Sequence, residues 1–310
     1  MTDAADEWDP LRAATVVVVN RNLPELTIRC VRSLVEDGVD SARIVVVENG
    51  STDESTELLR AALPDSPILR LEKNVGYARA ANKGAKLLPG DRYLFVNNDA
   101  FVHSAGSIRR LLASLAHDRV GLAVPRLVND DLTLQASVVP ISNPANAFLR
   151  ATGLSRFVPN RWQPWWGHHW DHASSRPIRA ANGTVVAVRS EVWAELGGWI
   201  ERDLMFAEDL DFCWRASKRG WLVWFEAESE FVHLGNTSGR TEWSDRRRSE
   251  LVGRAEGTLI RSELPRLQAE ATLFFMCAGL LARMGFLTLK GERGAASSLS
   301  GMLSGYRQSR

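Results

Sequence analysis

Cysteine is scarce in this chain of 310 residues: Cys30, Cys213 and Cys277 lie far apart, and no CxxC pair exists. A disulfide framework or a zinc knuckle is therefore not expected, and the count fits a reducing cytosol. Net charge is nearly absent too, at +1, which removes any global electrostatic argument for nucleic acid as a partner. The opening stretch MTDAADEWDPLRAA has no basic segment followed by an apolar one, so a secretory signal is not expected and residues 1–13 read as a flexible N-terminus. Internal repeats and low-complexity tracts are missing. The longest apolar run, 271–282, is broken by Arg283 and falls short of the ~20 residues a membrane span needs.

What the chain does have is a regular alternation. ATVVVVN reads as a buried strand over 15–19 that ends at Asn20. PELTIRCVRSLVEDG then places Leu26, Cys30, Leu34 and Val35 at helical spacing, with Pro24 near the start and Gly38 past the end. RIVVVENGSTDES repeats the order, with a strand over 44–47 and a helix from about Asp53. ILRLEKNVGYARAANKGAKLL repeats it again, with a strand over 68–71 and a helix from about Tyr77. RYLFVNND is a fourth strand and VGLAVPRLV a fifth. Strands alternating with helices predict βαβ units and a mostly parallel sheet. Unbroken Val, Ile and Leu runs are expected of strands buried on both faces.

The second half is less regular. Residues 140–180 carry Pro, Asn, Trp and His without a clear period and read as a long loop with short helices. GTVVAVRSEVWAELGGW predicts strand, helix and a Gly-Gly turn. EDLDFCWRASKRG predicts a helix, WLVWFEAESEFVHLG two short strands ending at His233, and two further helices follow in the last 70 residues. From Arg240 onward, twelve Lys and Arg face seven Asp and Glu, whereas the rest of the chain has 26 against 30. The basic part is thus the C-terminal part.

RYLFVNNDAFV, residues 92–102, is a buried strand that stops in Asn97-Asn98-Asp99. One such ending is explained by turn chemistry. Parallel strands, however, bring the ends at Asn20, Asn49, Asn74 and Asp99 to one edge of the sheet, and ligands of open α/β sheets bind beyond the carboxyl ends of the strands. Four polar endings together predict an acid-lined crevice.

In order along the chain stand VVVVNRN, IVVVENGSTDES, NVGYARAANKG, LFVNND, GGW, AEDLDFCWR and HLGNTS. The ordered set resembles the family 2 glycosyltransferases of the GT-A fold over residues 14–240, and more specifically bacterial rhamnosyltransferases. The resemblance implies an α/β GT-A type, Rossmann-like, mostly parallel sheet flanked by helices. It leaves 241–310 as a helical extension. It implies inverting transfer from a nucleotide-diphosphate sugar, with dTDP-rhamnose as a candidate donor. The acceptor would be a hydroxyl of a glycan or polyprenyl-linked molecule in cell-envelope polysaccharide synthesis.

By the same resemblance, Asp99 matches the last acid of the DxD motif, which holds Mn2+ or Mg2+. His233 matches a histidine that completes that metal site. Asn97 replaces the motif's first acid, which implies weaker metal binding. Glu48 matches the acid facing the nucleobase. Asn20, Asn74, Gly76, Arg79 and Asn82 flank the nucleotide, while Asn98, Gly198, Trp199 and Glu208 complete the substrate-binding set. Arg79 reads equally as a phosphate partner and as a surface helix charge. Asp209 is the expected general base, set among Met205, Phe206 and Leu210, whose apolar surroundings favour a raised pKa. Helix N-capping is its bland alternative.

Two segments keep alternatives open. His168, His169 and His172 in HHWDH offer a zinc spacing that no partner motif supports. Trp162, Trp165, Trp166 and Trp170 suit sugar stacking, a lipid interface or a loop core. AEATLFFMCAGLLARMGFLTLKG, residues 269–291, reads as an interfacial helix with Arg247, Arg248, Arg254, Arg261 and Arg266 upstream as anionic-lipid contacts. Its alternative is a helix packed on the catalytic domain. The membrane reading implies a cytoplasmic enzyme held peripherally at the cytosolic face of the plasma membrane. The competing function is a catalytically degenerate nucleotide-sugar or glycan-binding module, which Asn97 favours and Asp99, Asp209 and His233 oppose. A nucleotidyltransferase would want a Gly-rich basic loop after the first strand, and NRNLPE is not one.

Overall fold

The computed structural model describes residues 9–166, 169–201, 206–235 and 243–309. The N-terminal half alternates as its sequence predicts. It runs β1 (Ala14–Asn20), α1 (Pro24–Glu36), β2 (Ile44–Asn49), α2 (Ser55–Ala62), β3 (Ile68–Leu71), α3 (Tyr77–Leu87) and β4 (Arg92–Asn97). These four strands pair in parallel in the order β3-β2-β1-β4, so all four polar endings share one edge. Side chains alternate across each strand. Val16 and Val18 join one core with Leu34 of α1, and Val17 joins the other with Ala80 and Ala85 of α3. Both faces are apolar, which is why the strands read as continuous hydrophobic runs. In α1 Cys30 and Leu34 are buried as the spacing predicts, but Val35 faces outward.

Beyond β4 the sheet becomes mixed. The chain continues through β5 (Ala100–Val102), α4 (Ser107–Ser114), β6 (Val120–Val128), β7 (Leu134–Gln135), β8 (Val138–Val139) and α5 (Pro144–Ala151). Then come α6 (Gln163–Trp166), β9 (Arg176–Ile178), β10 (Ala180–Ala181), β11 (Val185–Arg189), α7 (Ser190–Leu196), α8 (Glu208–Lys218) and β12 (Leu222–His233). The sheet extends as β4-β11-β6-β12-β5. β11 is antiparallel to both β4 and β6, while β12 is parallel to β6. The two short strands expected before His233 are one strand. Its pairing with β6 skips from Glu226 to Glu230, a bulge that interrupts the apolar alternation without ending the strand.

Three helices complete the chain: α9 (Asp245–Glu263), α10 (Arg266–Leu289) and α11 (Arg293–Gln308). Only the first two are legible as patterns in the sequence. α11 closes on α9 through glycines. A Cβ at Gly253 would strike the Met302 backbone, one at Gly301 the Arg246 carbonyl, and one at Gly305 the Glu250 carbonyl. Removing Cβ atoms at these positions lets the two backbones touch. α10 packs on α5, with the rings of Phe148 and Phe275 5.3 Å apart. Its remaining surface is apolar and open: Leu267 is 86% exposed and Leu289 90%.

Candidate active site

A cavity of about 600 Å³ opens beyond the carboxyl ends of the parallel strands. Its walls come from the ends of β1, β2 and β4, the start of α8, the end of β12, and α5 with α9. The corner at Asn98-Asp99 explains one wall. The chain leaves β4 at Asn97, turns through two residues and re-enters the sheet as β5, paired antiparallel with β12 in the register His233 to Ala100. That register sets Asp99 beside His233, with Nε2 3.3 Å from Oδ1. Leu234 N also donates to the Asp99 carbonyl at 3.0 Å.

Gln135 completes this arrangement, and the sequence gives no sign of it because β7 is only two residues long. The Gln135 side-chain oxygen lies 2.6 Å from His233 Nδ1, and its Nε2 donates to the His233 carbonyl at 3.1 Å. Nδ1 thereby acts as the donor, and Nε2 is left as the nitrogen that faces Asp99. A histidine whose second nitrogen is fixed by a hydrogen bond is the usual pattern of a metal ligand. Among the described residues no group of three or more His, Cys, Asp or Glu forms a metal cluster. Asp99 and His233 are an oxygen and a nitrogen donor of the kinds that a Mn2+ or Mg2+ ion would take.

Behind the cavity runs a buried polar chain. Asn98 Nδ2 donates to Thr27 Oγ1 at 3.1 Å, Thr27 Oγ1 to Asn20 Oδ1 at 2.8 Å, and Asn20 Nδ2 to Glu48 Oε2 at 2.6 Å. Glu48 Oε1 accepts from Ser51 N at 2.8 Å. Asn20 and Glu48 therefore brace the wall from below, while Asn98 reaches its surface. Asn74 lies on the wall, accepting from Asn49 Nδ2 at 3.1 Å and from Gly76 N at 2.9 Å. Asn82 Nδ2 donates to the Trp199 carbonyl at 2.9 Å and its Oδ1 accepts from Trp199 N at 3.0 Å, clasping the Gly198-Trp199 turn. Gly198 has φ +79°, and a Cβ there would sit 2.7 Å from Asn82 Oδ1. The turn is held from the other side by Arg215, which bonds the Gly198 carbonyl and pairs with the buried Asp211 at 2.6 Å. Trp199 is consequently fixed in the wall, its ring 5.2 Å from Phe95 and 4.7 Å from Phe212. Arg79 sits outside the cavity and pairs with Glu201 at 3.6 Å.

Glu208 and Asp209 open α8 after two non-glycine residues in the left-handed region, Phe206 at φ +82° and Ala207 at φ +63°. Such conformations cost ~1–3 kcal/mol each and cluster where a side chain must be aimed. Asp209 accepts from Gly183 N at 2.7 Å and from Leu210 N at 2.8 Å. Gly183 has to be glycine for this approach, since a Cβ there would lie 2.9 Å from Asp209 Cβ. Burial pushes the Asp209 carboxyl above its ordinary range, against the pull of the Leu210 and Gly183 bonds. Glu208 Oε2 is buried with no hydrogen-bond partner, and burial, helped by the Asp209 charge, raises Glu208 to about 8. Burial likewise pushes the Tyr77 phenol up, with Glu208 and Asp209 adding to it. Backbone N–H groups favour the ionised form of both carboxyls, and burial outweighs them at each.

Other expectations change. His172 belongs to the core: it is 2% exposed, its Nδ1 lies 2.9 Å from the Trp170 carbonyl, and its ring stacks on Trp170 at 4.6 Å. Burial lowers its pKa, and the zinc spacing carries no site among the described residues. His168 and Met205 lie outside the described residues. Trp170 is also core, whereas Trp162 and Trp165 pack on each other away from the cavity. Arg248 lines the cavity, 6.0 Å from the Phe206 ring. Arg261 ties α9 to Glu270 of α10 and to the backbone of Tyr306 and Ser309. Trp243, missed in the sequence, lines the cavity as well.

Residues 15–154 match the model of glycosyl transferase family 2. The matched segment holds nearly all of β1, then β2 to β4 and the Asn98-Asp99 corner. The chain is 27% identical over 213 residues to an N-acetylglucosaminyl-diphospho-decaprenol L-rhamnosyltransferase of Mycobacterium tuberculosis, covering 64% of this chain and 68% of the relative. Its structure is similar to that of a mannosyltransferase from Pyrobaculum calidifontis in complex with GDP-Man and Mn2+, with a TM-score of 0.62 and 17% identity. The match covers 97% of this chain and 88% of that one. The 1–349 part of S. aureus TarS in complex with UDP-GlcNAc matches with a TM-score of 0.53 and 14% identity, over 95% and 90% of the two chains. The fold is that of the GT-A glycosyltransferases.

Proposed function

We propose that this protein is a metal-dependent, inverting glycosyltransferase. It moves a sugar from a nucleotide-diphosphate donor, with dTDP-rhamnose as the candidate, to a hydroxyl of a polyprenyl-linked or glycan acceptor. The observation that carries the reading is one cavity lined by both the Asp99–His233 pair and the Asp209 carboxylate. Asp99 and His233 would hold Mn2+ or Mg2+, which when bound neutralises the charge of the leaving diphosphate. Trp199 and Tyr77 shape the wall between strand edge and α8. Asp209 takes the proton of the acceptor hydroxyl as that oxygen attacks the anomeric carbon from the face opposite the diphosphate. Glu208, protonated, donates a hydrogen bond into the cavity and does not compete for that proton. The exposed apolar surface of α10, a helix long and apolar enough to cross a membrane by length and composition, suits peripheral contact with the cytosolic face of the plasma membrane.

Turnover of a panel of nucleotide sugars by the full chain, with Mn2+, Mg2+ or chelator, tests the reading. Metal-dependent consumption of one donor is expected, and it should vanish in Asp99→Ala while the protein stays folded. A second reading, a binding module without activity, draws on Asn97 in place of an acid and on the two-residue metal set. It predicts nucleotide binding with no consumption of any donor.

A further inference from the structure

His233 Nε2 and Asp99 Oδ1 lie 3.3 Å apart, and what passes between them depends on where the imidazole carries its hydrogen. A neutral histidine with the hydrogen on Nε2 would donate to Asp99 and close the two groups on each other. With the hydrogen on Nδ1, Nε2 turns a lone pair to the cavity. The hydrogen bonds around Gln135 select between these forms, and they continue beyond it into the turn that joins β6 to β7.

β7 folds back on β6 in the register Leu127 to Gln135 and Val128 to Leu134. Asn129 N donates to the Thr133 carbonyl at 2.8 Å and Leu132 N to the Asn129 carbonyl at 2.9 Å, with Leu132 at φ +63°. Few bulky side chains adopt that conformation. At the far end of the turn stands Asp131, a carboxylate that can only accept. The Thr133 hydroxyl donates to its Oδ1 at 2.6 Å and holds the carboxyl below its ordinary range. Thr133 Oγ1 is then left to accept from Asn129 Nδ2, at 2.9 Å. That turns Asn129 Oδ1 toward Gln135 Nε2, at 2.8 Å, and Gln135 Nε2 donates to the His233 carbonyl as well, at 3.1 Å. With its amide nitrogen committed to two acceptors, Gln135 meets His233 Nδ1 with its oxygen, at 2.6 Å. Each member fixes the direction of the next. The reverse orientation of the Gln135 amide would set its oxygen against the Asn129 oxygen and the His233 carbonyl, three acceptors with no donor among them.

We infer that Thr133, Asn129 and Gln135 of the β6–β7 turn are a relay of positioning residues that keeps His233 from pairing with Asp99 and turns its Nε2 lone pair to the cavity as a ligand for a divalent cation. Two acceptors 3.3 Å apart repel unless a cation lies against both. The relay thus leaves at this corner a pair of groups that a cation completes. Asp131, Thr133, Asn129 and Gln135 do not line the cavity, so their influence on it passes through the His233 ring. The ligand role rests on the glycosyltransferase reading of the cavity, and the tautomer does not.

Nitrogen NMR of the full chain in chelator, at a pH where imidazoles are neutral, tests the tautomer with no metal or donor present. The His233 signals are identified by their absence from His233→Asn. The wild-type chain should carry the hydrogen on Nδ1. Gln135→Met, similar in length but without the amide, should move it to Nε2 and weaken the binding of Mn2+ alone by ~10–100-fold. Gln135→Glu still accepts from Nδ1–H, so it should keep the wild-type tautomer and recover most of the Mn2+ affinity. Asn129→Leu, one step further from the ring, should fall between wild type and Gln135→Met. A hydrogen on Nε2 in the wild-type chain would overturn the relay, as would a Gln135→Met variant with the wild-type tautomer or the wild-type Mn2+ affinity. A turn that only supports the fold predicts a lower melting temperature with both readouts unchanged, or equal losses in Gln135→Met and Gln135→Glu, and either result refutes the relay. A wild-type chain with the hydrogen on Nδ1 that binds no Mn2+ sinks the metal part of the proposed function, while the tautomer still confirms the relay.

Discussion

Burial raises the neighbouring carboxyls Glu208 and Asp209 together, and the consequence at Glu208 is measurable. Glu208 lies buried without a partner at Oε2 and is raised from 4.5 to about 8. A carboxyl raised in the folded state binds more protons there than in the unfolded chain. Stability contributed by Glu208 is thus full at low pH and is lost as pH rises from the ordinary value through about 8. Glu208→Gln should raise the melting temperature clearly at about pH 8.5, on the order of 1–3 kcal/mol for a relieved buried group, and far less at about pH 5. The same variant should remove an alkaline limb near 8 from the pH profile of kcat/KM. Equal melting shifts at both pH values would show that Glu208 is solvated. The sequence points to the acid pair through its ED spelling, but not to what holds it. Gly183 N, 26 residues away, donates to Asp209. Gln135 is illegible for a similar reason: its contact with His233 joins positions 98 residues apart.

At the scale of elements, the helices of the C-terminal extension hold together by absence of side chains. Gly253 and Gly257 on α9 face Met302, Tyr306 and Ser309 on α11 and its end, and Gly301 and Gly305 face α9 in return. Gly257→Leu should destabilise the chain by ~1–3 kcal/mol or more, because even a Cβ there would press on Ser309 Cβ at 2.8 Å and on the Tyr306 ring at 3.3 Å. Since α9 also carries Arg248 and Val252 on the cavity wall, acceptor KM should rise in the same variant. Gly285→Ala in α10 is the contrast. A Cβ there meets nothing, so the helix should gain up to ~1 kcal/mol. Denaturant melts of both variants check this, and a neutral Gly257→Leu would contradict the close packing. Gly and Ser hide α11 from sequence reading, since RGAASSLSGMLSGYRQ has weak helix propensity. The partner helix supplies what propensity does not.

For the whole molecule, the legible half is the half made by local rules. Strand, helix and parallel return repeat through β4 in units whose periods are plain in the sequence, although β4 returns to β1 and not to β3. The rest is not local: β11 enters between β4 and β6, and β12 runs unbroken across a bulge. α9 lines the cavity through Arg248, Val252 and Glu256, so its removal would open the cavity. In the proposed reading, membrane contact is made by α10. Phe274→Asp together with Leu281→Asp should abolish cosedimentation with phosphatidylglycerol vesicles and leave the melting temperature within a few degrees. Undiminished sedimentation would move the contact elsewhere.

Chemistry by Asp209 is the claim on which the rest converges. The direct measurement is donor consumption by Asp209→Asn against the wild-type chain, with Mn2+ and a prenyl-diphosphate-linked sugar as acceptor. Asparagine keeps the Oδ atom that accepts from a backbone N–H but cannot take the proton. The account predicts near-normal nucleotide binding and a rate lower by ~10²–10⁴-fold. Turnover by Asp209→Asn at the wild-type rate would contradict it.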